Sequence, residues 1–232
     1  MQLNETETMK KDENFCMLLY AKPGGGKTST FRYLKGKTLL VDIDGSGKVL
    51  SGVPNITRAT INPDDPANEL LQFYAYAKAN IDKFDNIVLD NLSHYQKLWL
   101  MEKGKKTKSG QPEIQHYGVF DNHLLNIVES FKALDANIIF TCWENTREIQ
   151  LENMQLYHQF LPDIREKIVN HIMGVIPVVA RLVRNPETGV RGFLLAESNG
   201  TFAKNQLDNR EFALQTDIFN IGDITEDDIQ TS

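Results

Sequence analysis

The sequence predicts an α/β fold, a mostly parallel sheet with helices on both faces, and three observations carry that expectation. Short unbroken apolar runs recur at residues 15–20 (FCMLLY), 86–89 (NIVL) and 137–141 (NIIFT). Runs of this length belong to strands buried on both faces, because a half-exposed strand alternates apolar and polar residues. Segments of helical period separate the runs, the clearest at 121–134 with Leu124, Val128, Phe131 and Leu134 on one face. A glycine-rich turn follows directly on the first run, and strand, turn and crossover helix are the repeating unit of a parallel sheet.

In chain order, residues 1–14 are polar and read as a flexible lead-in without the apolar segment of a signal peptide. After the first strand a helix is expected from 27 to 34, then a second strand at 38–43 (TLLVDI) ending in the Asp44-Gly45-Ser46-Gly47 turn. A loop at 63–66 precedes a helix over 67–79, and the 86–89 strand terminates at Asp90. A helix over 91–101 gives way to 103–112 (KGKKTKSGQP), whose lysines, glycines and serine lack any hydrophobic period and read as a loop. Residues 143–160 read as a long polar and aromatic connection. Asp163 is expected to cap a helix to 172, with Ile164, Ile168 and Ile172 turned inward. Residues 178–183 and 191–196 flank Asn185-Pro186-Glu187-Thr188-Gly189 as a β-hairpin. The expected organisation is one domain over 15–221, followed by an acidic tail over 222–232.

Bulk composition narrows the function classes. The 232 residues are 41% hydrophobic and 24% charged, the balance of a chain with one sizeable core. A net charge of −6 argues against a protein that coats nucleic acid with its whole surface, while leaving room for a local basic groove. Cys16 and Cys142 stand in apolar runs with no C-x-x-C spacing, as expected of free thiols in a reducing compartment. The apolar stretches are short for a membrane span, and a cytoplasmic location is expected.

The segment that carries chemistry is Ala21-Lys22-Pro23-Gly24-Gly25-Gly26-Lys27-Thr28, followed by Ser29. It fits the P-loop pattern G-x-x-x-x-G-K-[ST], with alanine at the first position. Three consecutive glycines let the backbone wrap tightly enough to aim N–H groups at phosphate oxygens. Lys27 neutralises the β- and γ-phosphates, the Thr28 hydroxyl ligates Mg²⁺, and the helix that opens there adds its positive end. The buried strand before the motif and the helix after it are the context it needs. Asp90, at the end of another buried strand, is the second metal candidate, opposite Thr28. No guanine-reading motif is present, so ATP is the expected nucleotide.

The order of these pieces resembles the RecA-like P-loop ATPases, and among them the short phage nucleotide-binding proteins that are little more than a RecA core, some of which assist single-strand annealing or recombination. The resemblance runs from about residue 15 to 210. Asp90 is followed by Asn91, not by the glutamate of the AAA+ type. The RecA-like place for the water-activating carboxylate is the end of the strand after the P-loop helix, which implies Asp44 as general base, with Asp42 on the same strand. The resemblance also puts the 137–141 strand between the P-loop strand and the Asp90 strand, with Glu144 as alternative base or sensor. It implies single-stranded DNA contacts from Lys103, Lys105, Lys106 and Lys108, and from Trp143, Arg147 and Tyr157. Lys204 and Arg210 are implied to act in trans on a neighbour's ATP site, with Arg181 and Arg184 competing for that role. Taken whole, the resemblance implies an ATPase acting on single-stranded DNA in recombination, annealing or replication. It would self-associate with the ATP site at a subunit interface and work alongside a single-strand-binding or annealing protein. Two alternatives stay open: a nucleotide-dependent interaction module with little turnover, and a small-molecule P-loop kinase.

Overall fold

The structure, a computed structural model, describes residues 14–150 and 156–221. The expected lead-in and acidic tail lie almost wholly outside the described residues. Its centre is β1 (Cys16–Ala21), flanked in parallel by β5 (Asn137–Gln150) and β7 (Val178–Arg184). Beyond β5 lie β4 (Asn86–Asp90), β2 (Thr38–Asp42) and β3 (Ile56–Thr60), all parallel. Beyond β7, β8 (Arg191–Leu194) and β10 (Phe212–Leu214) continue antiparallel. The two-residue β9 (Lys204–Asn205) pairs with β7, and β6 (Leu156–Pro162) pairs with the outer half of β5. The described chain is therefore an α/β fold on a mixed, mostly parallel ten-stranded sheet. The strand order places β5 between β1 and β4, as expected from sequence.

Alternation along β1 shows why unbroken apolar runs are needed. Leu18 and Tyr20 enter a core under α2 (Pro66–Ala79), α3 (Leu92–Lys105), α4 (Ile114–Lys132) and α5 (Glu166–Val175), whereas Met17, Leu19 and Ala21 enter a second core on the other face. That second core holds Phe31, Leu50, Phe193, Ile218 and Phe219. Burying both faces of each central strand supplies the apolar area that drives folding and sets every C-terminal end of the parallel strands along one rim.

Several expected elements differ. The helix after the P-loop is short: α1 covers Lys27–Thr30 and tightens into a 3₁₀ turn at Phe31–Tyr33. Helix α3 runs on to Lys105, so Lys103 and Lys105 lie on a helix, and only Lys106 and Lys108 belong to the turn. Helix α4 begins at Ile114, where Glu113 and His116 form a reciprocal capping box. Asp163 caps nothing; α5 starts at Glu166, with Arg165 at its N-cap. The 143–160 connection is instead an antiparallel β5–β6 hairpin, in register from Glu144 opposite Pro162 to Gln150 opposite Leu156. The edge strand β3 was not anticipated.

Candidate active site

The loop from Ala21 to Thr28 takes its shape from its backbone. Gly25 N–H closes a turn on the Lys22 carbonyl at 2.9 Å. Gly24 and Gly26 hold φ of 73° and 106°, a left-handed region open to glycine and costly for other residues. Lys27 folds back beneath the loop, its Nζ donating to the carbonyls of Ala21 (3.1 Å) and Lys22 (3.3 Å). It is only 5% exposed, and burial pushes its pKa down. No carboxylate of the described residues lies within ion-pair distance of it, although the charges of Asp90, Asp44 and Glu144 partly offset the burial, so an anion arriving above the loop meets a desolvated cation with no directly bonded counter-charge. That is the electrostatic fit of a phosphate.

Across the rim, Asp90 receives three hydroxyls. Thr28 Oγ donates to Oδ2 at 2.6 Å, Ser46 Oγ to the same oxygen at 3.3 Å, and Thr141 Oγ to Oδ1. Thr28 and Ser46 are themselves 2.8 Å apart. Burial raises the Asp90 carboxyl to about 6 in spite of the Thr141 and Thr28 hydrogen bonds. A carboxylate with two hydroxyls converging on it is a hard oxygen donor set, the kind Mg²⁺ takes. Thr28, Asp90 and Ser46 fit that ion, and its charge would remove the penalty on ionised Asp90.

Asp44 stands beside this group at the end of the β2 turn. Its Oδ1 accepts from Ser46 N–H at 3.0 Å and its Oδ2 from Asn91 Nδ2. The Asp90–Asn91 peptide is cis. Asp42 is directed elsewhere: its Oδ2 accepts from Arg58 Nε (2.7 Å) and Gly47 N–H (3.0 Å), and it does not line the cleft. Its work is to anchor the turn that presents Asp44 and Ser46. A Cβ at Gly47 would sit 2.7 Å from Asp42 and Arg58, so that packing demands glycine.

The cleft between these walls measures about 340 Å³, roomy enough for a nucleotide's phosphates. Pro23, Gly24, Gly26, Lys27, Thr28 and Ser29 form one wall. Asp44, Ser46, Val49, Asp90, His94 and Trp143 form the other. Ala21 is buried behind the loop and Lys22 points outward, exposed.

The remaining sequence candidates scatter. Glu144 is held by Arg181 at 2.7 Å, and Arg181 also donates to Thr201 and lies over the Phe160 ring. Trp143 lines the cleft, with Lys97 4.4 Å above its ring. Arg147 bonds Gln159 across the hairpin and Asn170 on α5. Tyr157 stands opposite Ile149 in the same hairpin. Lys103 and Lys106 both meet Glu102, and Lys105 meets Asp64 at 2.5 Å. Lys204 donates to the Gly174 carbonyl, Arg210 to Asp208 and the Asp217 carbonyl, and Arg184 to the Gly189 carbonyl. Each candidate for action in trans is thus engaged within its own chain.

Sequence reasoning passed over Ser46, His94, Arg191 and Gln215. Gln215 Nε2 donates to the Gly26 carbonyl and to Thr30 Oγ, both at 3.0 Å, tying the C-terminal strands to the P-loop. Arg191 packs its guanidinium against Gly26, so closely that a Cβ there would lie 3.1 Å from Nε. Ser46 was visible only as part of a turn, and the other three carry no local motif.

No curated protein matches the chain. A family model described as an AAA domain matches residues 13–207, most of the chain, and the chain belongs to that family of P-loop ATPases.

Proposed function

We propose that this AAA-domain chain binds ATP with Mg²⁺ in the Thr28–Asp90 cleft, hydrolyses it, and uses the nucleotide state to control a grip on single-stranded DNA. The observation that carries the nucleotide half is the Thr28–Asp90 contact of 2.6 Å, made beside the buried Lys27. Lys27 and the loop N–H groups would bind the phosphates, and Thr28, Asp90 and Ser46 would hold Mg²⁺, which supplies charge neutralisation for phosphoryl transfer. Asp44, which lines the cleft beside Asp90, would orient and deprotonate the attacking water.

Support for the DNA half comes from strand β5. One continuous strand carries Thr141, bonded to Asp90, then Trp143 at the cleft wall, then the hairpin with Arg147. A shift at the Mg²⁺ site has a direct mechanical route to the hairpin. Lys97 over the Trp143 ring and Arg147 on the hairpin would supply cationic contacts beside an aromatic face on an acidic protein. The recombination, annealing or replication role of phage-type RecA-like proteins, and self-association through the ATP site, belong to this same proposal.

A second reading is favoured by a specific observation: both Asp44 oxygens accept hydrogen bonds, and Glu144 is paired with Arg181. Carboxylates engaged in this way suit an ATP-bound interaction module with slow turnover. Phosphate release measured with and without single-stranded DNA separates the two. Stimulation by DNA is expected from the first; ATP binding with flat, negligible turnover would select the second.

A further inference from the structure

Four titratable side chains of the described residues line the cleft: Lys27, Asp44, Asp90 and His94. Three have their polar atoms engaged. Lys27 donates to two carbonyls, Asp44 accepts from Asn91 and Ser46, and Asp90 accepts from three hydroxyls. His94 differs. Its backbone N–H caps onto Asn91 Oδ1 at 2.7 Å, but its buried Nδ1 has no partner. The ring tilts against Trp143 with centroids 5.7 Å apart, so Trp143 and the first turn of α3 fix its orientation.

An unpartnered buried nitrogen constrains the tautomer. A proton on Nδ1 would be a donor left unpaired, the costly case, whereas a bare Nδ1 forfeits only an acceptor. The proton therefore resides on Nε2. Burial also pushes the imidazole below its ordinary pKa; Asp44 opposes that shift and Lys97 adds to it. The result is a neutral ring with one N–H to offer, on the wall that also holds Asp44 and Asp90.

We infer that His94 is the residue that tells ATP from ADP in this cleft: its Nε2–H hydrogen-bonds an oxygen of the terminal phosphate, a partner that ADP does not provide. This rests on the nucleotide reading of the cleft and adds to it a side chain for which no motif exists. Lys27 and the loop amides reach the β-phosphate that both nucleotides carry and so hold either one, whereas a donor directed at the γ-phosphate alone adds only to ATP affinity, and His94 supplies it. Because His94 also touches Trp143 at the root of the hairpin, the same bond marks nucleotide state on the element that carries the output.

The test compares a non-hydrolysable β,γ-imido analogue of ATP with ADP by calorimetry in Mg²⁺. His94→Phe keeps a ring against Trp143 and removes the donor; His94→Gln keeps a donor. His94→Phe should bind the analogue about 10-fold more weakly while ADP affinity stays within about twofold. His94→Gln should retain most of the wild-type preference. Equal losses for both ligands in His94→Phe would assign His94 to packing, and unchanged affinities would remove it from the site; either overturns the inference. Wild-type protein that binds neither ligand would sink the nucleotide site itself, a separate failure.

Discussion

The carboxylates of the cleft and the lysines at the end of α3 are two polar concentrations built in opposite ways. Asp90 gathers hydroxyls from Thr28, Ser46 and Thr141, which are 62, 44 and 51 residues away in sequence, and it is buried. Lys103 and Lys106 meet Glu102 within one helical turn, and Lys105 meets an exposed Asp64. The first arrangement exists only when β1, β2, β4 and β5 are in register, so it is preorganised at the cost of desolvating a carboxylate. In the second, Lys103 and Lys106 close on the buried Glu102 from their own helical turn, and only the Lys105–Asp64 pair is exposed on both sides, where screening keeps it weak. Chemistry belongs in the first; in the second, Lys105 can exchange the exposed Asp64 for a phosphate.

The contrast breaks if cleft variants behave like surface variants. The largest effect expected is on turnover: Asp44→Asn should bind ATP normally yet release phosphate about 10²–10⁴-fold more slowly. Unchanged release would pass the role to Glu144, freed from Arg181. Next, Lys27→Ala should weaken ATP binding by about 100-fold, the loss of a charge-assisted contact in a dry site, while circular dichroism stays that of the folded chain.

Asp90→Asn sharpens the comparison, because it should improve stability while it destroys function. With its carboxyl raised from 3.8 to about 6, the folded chain without nucleotide holds the proton more tightly than the unfolded chain. Stability therefore declines as pH rises through that window, and the penalty is complete above it. Urea denaturation at pH 8 should show the variant about 1–3 kcal/mol more stable, with the gain gone near pH 4. A variant less stable than wild type at pH 8 would mean that the hydroxyls more than offset the burial.

The smallest effect lies on the surface. Lys108→Ala should lower the salt slope of single-stranded DNA binding by about one unit, and Lys106→Ala by less, because Glu102 holds Lys106. Equal slopes for both variants and wild type would take the α3–α4 turn out of the DNA proposal.

Legibility in the sequence divides along the same line. The P-loop was legible because its geometry is local: glycines, Lys27 and Thr28 are adjacent, and the apolar run before them announces a strand. Asp90 was legible because an unbroken run ends on it. The hairpin was not, since residues 144–150 are mostly polar, with no turn signal to mark the β5 run. Strand β3 escaped because its Ile-Thr-Arg-Ala-Thr is short and half-exposed, as edge strands are. Ser46 was visible only as a turn residue and His94 not at all, because the contacts that give them a role, to Asp90 and to Trp143, are made only once the strands are in register. Lys204 and Arg210 were assigned by resemblance, and the internal bonds of each became visible only in the folded chain.

Magnesium dependence tests the central arrangement most directly. ATP affinity should be measured by titration for wild type and Thr28→Ala, each with Mg²⁺ and with a chelator. Wild type should lose about 10-fold or more in affinity when Mg²⁺ is removed, while Thr28→Ala is already weak and nearly insensitive to the ion. Identical magnesium dependence in the two proteins would contradict this arrangement, because Thr28 and Asp90 would then not be holding the metal between them.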